Sequence, residues 1–255
     1  MRFTAAGSCL DSPPPPVGIR GRPLAGALRV LGVLAFVLAA PLSAQENDTR
    51  WEWWPEVDAY VNLGDHSRLY LLATVARNRA EDFGEGMLGA HVDLFLKPIG
   101  RPWLLHTPDV VKHHYLTFRA GYRYAWDLSD RSEYQEHRGL LELTLRYNPV
   151  ARFVFVNRSR LDLRDINGEG SWRYRNRSRL ERDLPLGSRV ATPYAMVEFF
   201  YDSRYEDWSR QRYFVGIEWP IGRRAVLDSY YCRQDDSRSS VAHVNAVGLA
   251  LNLYF

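Results

Sequence analysis

The stretch RFVFVNRSRLDLRDINGEGSWRYRNRSRLERDL, residues 152–184, carries arginine at 158, 160 and 164 and again at 173, 175, 177 and 179. A spacing of two is the strand period, so these seven guanidinium groups leave one face of a predicted hairpin. The other face holds Phe153, Phe155 and Leu161 on one strand and Trp172, Tyr174 and Leu180 on its neighbour. An ordinary core does not accept seven cations, and the opposite face is equally unlike a surface made for water. The pattern calls for a sheet with a wet, charged side and an apolar side, which is the wall of a closed barrel set in a membrane.

Working outward, period-two segments recur at 54–63, 67–78, 86–97, 114–126, 134–148, 151–164, 171–184, 192–202, 209–219, 225–234 and 241–255, with short polar turns between them. The last is the clearest, with Val247, Leu249, Leu251, Leu253 and Phe255 on one face and Ala246, Gly248, Ala250, Asn252 and Tyr254 on the other. These segments exceed the ~5–6 residues of an ordinary strand and reach the ~9–11 that cross a bilayer at a tilt. Trp51, Trp53, Trp54, Trp126, Trp172, Trp208, Trp219 and Tyr254 sit near segment ends, where interfacial girdles belong. A soluble lipocalin-like barrel would turn its apolar residues inward, and here the inward set is too charged. The expected fold is all-β, a closed antiparallel transmembrane barrel. Bacterial single-chain barrels have even strand numbers, so twelve strands are preferred over ten, residues 45–54 supplying one more. The connection 98–113 holds three prolines and is expected on the periplasmic side if the terminus is.

Residues 24–42 are almost wholly apolar apart from Arg29, follow Arg20 and Arg22, and run into Pro41, Ser43 and Ala44. That order predicts a signal peptide over residues 1–44 and a barrel over 45–255. Removing the leader takes four arginines and one aspartate from a chain of 33 cations and 30 anions, so the formal net charge of +3 disappears. No basic tail remains for nucleic acid. Lysine occurs twice, at 97 and 112, and cysteine twice, at 9 and 232, so the expected fold does not rest on disulfides.

Arginines facing one another across strands need carboxylates nearby. The repeated NRSRL at 157–161 and 176–180 suggests a register with Arg158 opposite Arg179, Arg160 opposite Arg177, Asp162 opposite Arg175 and Arg164 opposite Arg173. A turn near Val150 then sets Glu142 opposite Arg158, Arg138 opposite Asp162 and Glu136 opposite Arg164. Beyond the hairpin, Glu198 falls between Arg179 and Arg212, with Asp202 near Arg175. The expected result is a row Glu142, Arg158, Arg179, Glu198, Arg212 on the inner wall.

GYRY at 121–124, Glu136 with Arg138, NRSRLDLR at 157–164, YRNRSRLE at 174–181, EFF at 198–200 and the closing strand resemble an uncharacterised outer-membrane barrel family, domain of unknown function 2490. The resemblance spans roughly Trp53 to Phe255 and implies a barrel in the bacterial outer membrane with no established activity. The last strand also looks like a signal for the barrel-assembly machinery, ending in Phe255, although Leu253 stands where an aromatic is common and Gly248 sits two positions early.

The functional expectation is a narrow porin-like channel for small anionic solutes, because arginine lines anion and phosphate pores. The lumen or solute-binding residues expected are Arg158, Arg160, Arg175, Arg177, Arg179 and Arg212, with Glu142, Asp162 and Glu198 as partners. The alternative is a sealed barrel in which the same lattice only stabilises the wall. An outer-membrane lipid hydrolase ranks below both. Ser229, His243 and Asn245 form its one candidate triad, and their predicted registers are diagonal. His91 with Asp93, and the adjacent His113 and His114, do not make a metal site by spacing. No cofactor motif is present, and no enzyme activity is expected.

Overall fold

A computed structural model describes residues 49–78, 83–98, 107–128, 133–148, 153–186, 189–239 and 241–255. The expected leader lies outside them. The described chain forms β1 (Thr49–Gly64), β2 (Ser67–Asn78), β3 (Phe83–Pro98), a 3-10 turn (Val110–His113), β4 (His114–Asp127), β5 (Gln135–Tyr147), β6 (Val154–Ile166), β7 (Glu169–Glu181), β8 (Leu184–Leu186), β9 (Arg189–Asp202), β10 (Asp207–Ile221), β11 (Ala225–Asp236) and β12 (His243–Tyr254).

All eleven periodic segments become wall strands. Each pairs with its chain neighbour, except that β7 pairs directly with β9, and β12 returns to β1 to close the barrel. Twelve strands are present, but the twelfth is not where it was expected. Thr49–Trp54 is the opening of β1 rather than a separate strand. The extra strand is β8, a three-residue arm paired to the start of β9.

Eleven strands in an up-and-down wall force the first and last to run the same way. β1 and β12 are accordingly parallel, from Thr49 beside His243 to Tyr60 beside Tyr254, and this corrects the expectation of an antiparallel barrel at one seam. A parallel pair is slightly weaker per residue than an antiparallel one. Here the seam is braced from inside by stacked rings, Tyr254 on Tyr60 at 5.0 Å, Tyr60 on Tyr70 at 4.7 Å and Tyr70 on His91 at 4.6 Å. Thr49 and Phe255 therefore lie at opposite mouths. We call the mouth with the β4–β5, β6–β7, β9–β10 and β11–β12 connections upper and the other lower.

The alternation divides the wall as expected. Leu88, Val92, Leu94 and Leu96 on β3, Leu141, Leu143 and Leu145 on β5, and Leu163 and Trp172 on the central hairpin are exposed on the outside. Their neighbours Asp93, Glu136, Arg138, Glu142, Arg160 and Asp162 are buried inside. Trp54 and Tyr254 depart from the expected girdle, facing inward beneath Arg212 and against Tyr60. The outer apolar surface is interrupted on β6–β7, where Asn157, Ser159, Asn176 and Ser178 bond to one another, Asn157 Nδ2 reaching Asn176 Oδ1 at 3.2 Å and Ser178 Oγ at 3.1 Å.

Glycine lets inward rings lie flat on a neighbouring strand. A Cβ on Gly248 would come 2.0 Å from Tyr230, and one on Gly216 would come 2.5 Å from Tyr194. Across the sheet these alternate as Tyr194, Gly216, Tyr230, Gly248 and Trp54, with Tyr194 covering Gly216 and Tyr230 covering Gly248.

The central register differs from the expected one by two residues. Asn167 and Gly168 both have positive φ, 52° and 89°, and form a two-residue turn that pairs Ile166 with Glu169. This is the hairpin chemistry of an Asn-Gly pair, and it outranks the NRSRL repeat as a determinant of register. Arg158 thus faces Arg177, Arg160 faces Arg175, Asp162 faces Arg173, and Arg164 faces Ser171. On the other side Glu142 faces Arg160 and Arg138 faces Arg164. A slip of two preserves the face, which is why the inside-outside division survived it.

Candidate functional site

β5, β6, β7, β9 and β10 bring the expected lumen residues to one side of the barrel, though in different pairs. Glu198, on β9 opposite both Arg177 and Arg212, accepts from Arg175 Nη2 at 2.9 Å and from Arg177 at 3.1 and 3.0 Å, with Arg158 at 3.8 Å. Asp162 accepts from Arg160 Nε at 2.5 Å and lies 3.7 Å from Arg175. Glu142 lies 3.5 Å from Arg158. The expected row is corrected at Arg179, which sits lower in the lumen, bonded to Glu218 at 2.6 Å and paired with Glu181 at 2.6 Å. Arg212 faces Glu198 in register, but its Nε donates to Gln234 at 2.7 Å.

The lattice extends beyond those residues. Glu136 holds Arg138 and Arg164 at 2.7 and 2.6 Å, and Asp202 holds Arg164, Arg173 and Arg204. Asp93 holds Arg68 at 2.6 Å and Arg119 at 2.5 Å. Arg68 and Arg119, which flank Asp93 from β2 and β4, were missed as lumen residues because each of those strands carries a single cation at this level, with no repeat to advertise it. The signal available was parity alone.

The β3–β4 connection contributes the other part of the site. Thr107–His113 turns into the lower mouth with Val111 buried. Asp109 caps the turn, accepting from the Val111 backbone N–H at 3.1 Å and from Arg68 Nη1 at 2.5 Å. Lys112 reaches across to Glu218 at 2.6 Å and Glu181 at 3.3 Å. Burial pushes the Asp109 carboxyl up, but Arg68, Lys112 and Arg146 outweigh it and hold the group below its usual range. Burial pulls the Lys112 ammonium down, and Glu181 and Glu218 reverse this, so it stays above its usual value. The turn is a strap, ion-paired at both ends, laid across the lumen.

The described residues line two chambers inside the barrel. The upper, of about 620 Å³, extends to the upper connections at Ile166, Arg204 and Ser239. The lower, of about 280 Å³, extends to the strap at Asp109, Val111 and Lys112. Glu56, Tyr70, Arg119, Arg158, Arg177, Phe214 and Tyr230 border both and mark the waist between them. Thirteen arginines and five carboxylates line the upper chamber, whereas seven cations and seven carboxylates line the lower. Many of the acids that pair the upper arginines, Asp162, Glu198 and Asp202 among them, lie against the wall at 0 to 1% exposure. The carboxylates form the floor of the lattice and the guanidinium groups face the space.

The other candidates separate. Ser229 faces Leu249, six residues along β12 from His243, so the three residues of the suggested triad do not converge. His243 instead bonds Asp235 at 2.8 Å. His91 lies between the Tyr70 carbonyl at 3.2 Å and Arg123 Nε at 3.0 Å, its rings nitrogens both occupied. Among the described residues no group of three or more His, Cys, Asp or Glu is placed to hold a metal ion.

No curated protein matches this chain. Residues 103–245, more than half of it and including the whole arginine hairpin, match the family described as Protein of unknown function (DUF2490), and the chain belongs to that family.

Proposed function

We propose that this protein is an outer-membrane β-barrel that admits small anionic solutes to a narrow, porin-like lumen, with the Asp109–Lys112 strap as the gate at its lower end. The observation that carries the reading is the excess of guanidinium groups facing the upper chamber, thirteen against five carboxylates. In a low-dielectric cavity such an excess attracts anions and repels cations. The membrane location is supported by strands of 12–16 residues in the wall, an apolar exterior and closure of the eleven-strand ring. Delivery by the barrel-assembly machinery is supported by β12, which turns Val247, Leu249, Leu251 and Leu253 outward. No catalytic step belongs to this reading.

The strap favours a second reading, a barrel sealed at its lower mouth that holds solute without passing it. Single-channel conductance of the refolded mature chain, with the reversal potential read in a salt gradient, decides between them. Discrete steps with anion preference support the channel. A silent bilayer containing folded protein leaves the sealed barrel.

A further inference from the structure

Most arginines that face the upper chamber have a carboxylate. Arg123 and Arg212 are different. Arg123, on β4, donates Nε to His91 Nε2 at 3.0 Å and brings Nη1 to Met87 Sδ at 4.0 Å. Arg212, on β10, donates Nε to Gln234 Oε1 at 2.7 Å, and its guanidinium lies 5.0 Å from the ring centres of both Trp54 and Phe200. Among the described residues neither has a carboxylate within ion-pair distance, and both line the same 620 Å³ space. They stand on nearly opposite walls, five strands apart in a ring of eleven.

The two share a construction. In each the Nε is tied to a neutral acceptor, which sets the plane of the guanidinium and leaves its terminal nitrogens for something else. Aromatic rings or a neighbouring histidine hold that plane, so little conformational entropy remains to be lost on binding. A terminal guanidinium edge fits two oxygens of a tetrahedral oxyanion and gains charge-assisted hydrogen bonds from it. The surrounding charge agrees. Even when Asp93, Glu142, Asp162, Glu198, Asp202 and Asp236, which lie behind the arginines, are added to the five carboxylates lining the chamber, the thirteen guanidinium groups are in excess.

We propose that the upper chamber is a binding site for soluble phosphate-class oxyanions, with Arg123 and Arg212 as its anion-contacting residues. This rests on the reading that the chamber admits anions, and it adds the class of anion and the two residues that take it. Removing either arginine leaves no carboxylate unpaired, so Arg123→Gln and Arg212→Gln are expected to fold with the melting temperature of the parent.

The test is equilibrium binding of inorganic phosphate to the refolded chain, measured by titration calorimetry against sodium chloride. Phosphate is expected to bind more tightly than chloride, and each variant to weaken phosphate by tenfold or more, while Arg233→Gln on the outer wall leaves it unchanged. Equal affinity for phosphate and chloride would overturn the class of ligand. Affinity within twofold of the parent in both variants would overturn the site. Phosphate binding without conductance would retain the site and reject the channel. Conductance with normal binding by both variants would do the reverse.

Discussion

Lys112 Nζ stands 2.6 Å from Glu218 Oε2, joining the connection between β3 and β4 to a strand on the far side of the barrel. Glu181 lies 3.3 Å from the same ammonium, and Arg179 touches both acids. Removing one partner from a buried pair costs about 3–5 kcal/mol, since the other charge stays behind. Lys112→Met is expected to free the strap, raising conductance and lowering the melting temperature. Unchanged conductance in a folded variant would remove the strap from gating.

The strap's pH response follows from its two ends. Asp109 is held below the ordinary 3.8, so its contribution is complete above that value and is lost as pH falls through the depressed pKa. Lys112 is held above the ordinary 10.5, so its contribution is complete below that value and is lost as pH rises through the raised pKa. Hydrogen exchange at Val111 and Lys112, corrected for intrinsic rates, is expected to stay flat between these limits and to accelerate outside them. Release near neutrality would contradict the assigned clamps.

Glu198 is buried to 1% exposure beneath Arg158, Arg175 and Arg177. Glu198→Ala leaves three guanidinium groups without it and is expected to destabilise the barrel by about 3–5 kcal/mol. A thermal transition that does not move would show that the lattice contributes no stability at this point.

Arg177→Glu sets a carboxylate opposite Glu198. Its reversal potential is expected to shift toward cations, with a lowered melting temperature as an accompanying effect. Ion preference unchanged from the parent would exclude the waist from selection.

Gly248→Ala drives a methyl group into Tyr230, whereas a Cβ on Gly139 meets nothing within 4 Å. The first is expected to cost about 1–3 kcal/mol and the second close to nothing. Equal melting temperatures would mean that Tyr230 moves away without penalty.

The parallel seam predicts that Thr49 and the β10–β11 turn lie at opposite mouths. On the proposed outer-membrane reading, a membrane-impermeant thiol reagent is expected to label one of Thr49→Cys and Arg224→Cys on intact cells and the other only after the outer membrane is opened. Native Cys232, fully buried, supplies little background. Labelling of both from one side would refute the seam.

Much of this barrel is local and therefore legible. Strand identity and inside-outside parity depend on a two-residue period, which the sequence carries at every position of 152–184. Register was partly legible too. The Asn167–Gly168 pair specifies its own turn, and giving it priority over the NRSRL repeat would have paired Arg158 with Arg177 directly.

By itself, then, the sequence determined an all-β wall, its charged interior and the arginines that face it, because each of these follows from alternation between neighbouring residues. Only the tertiary structure decided the strand count in the wall, the parallel closure, the strap across the lower mouth and the two arginines left without carboxylates. Those are ring properties. Whether β1 meets β12 and where Lys112 lands depend on bringing residues more than a hundred positions apart to a common depth, and no local period encodes that distance.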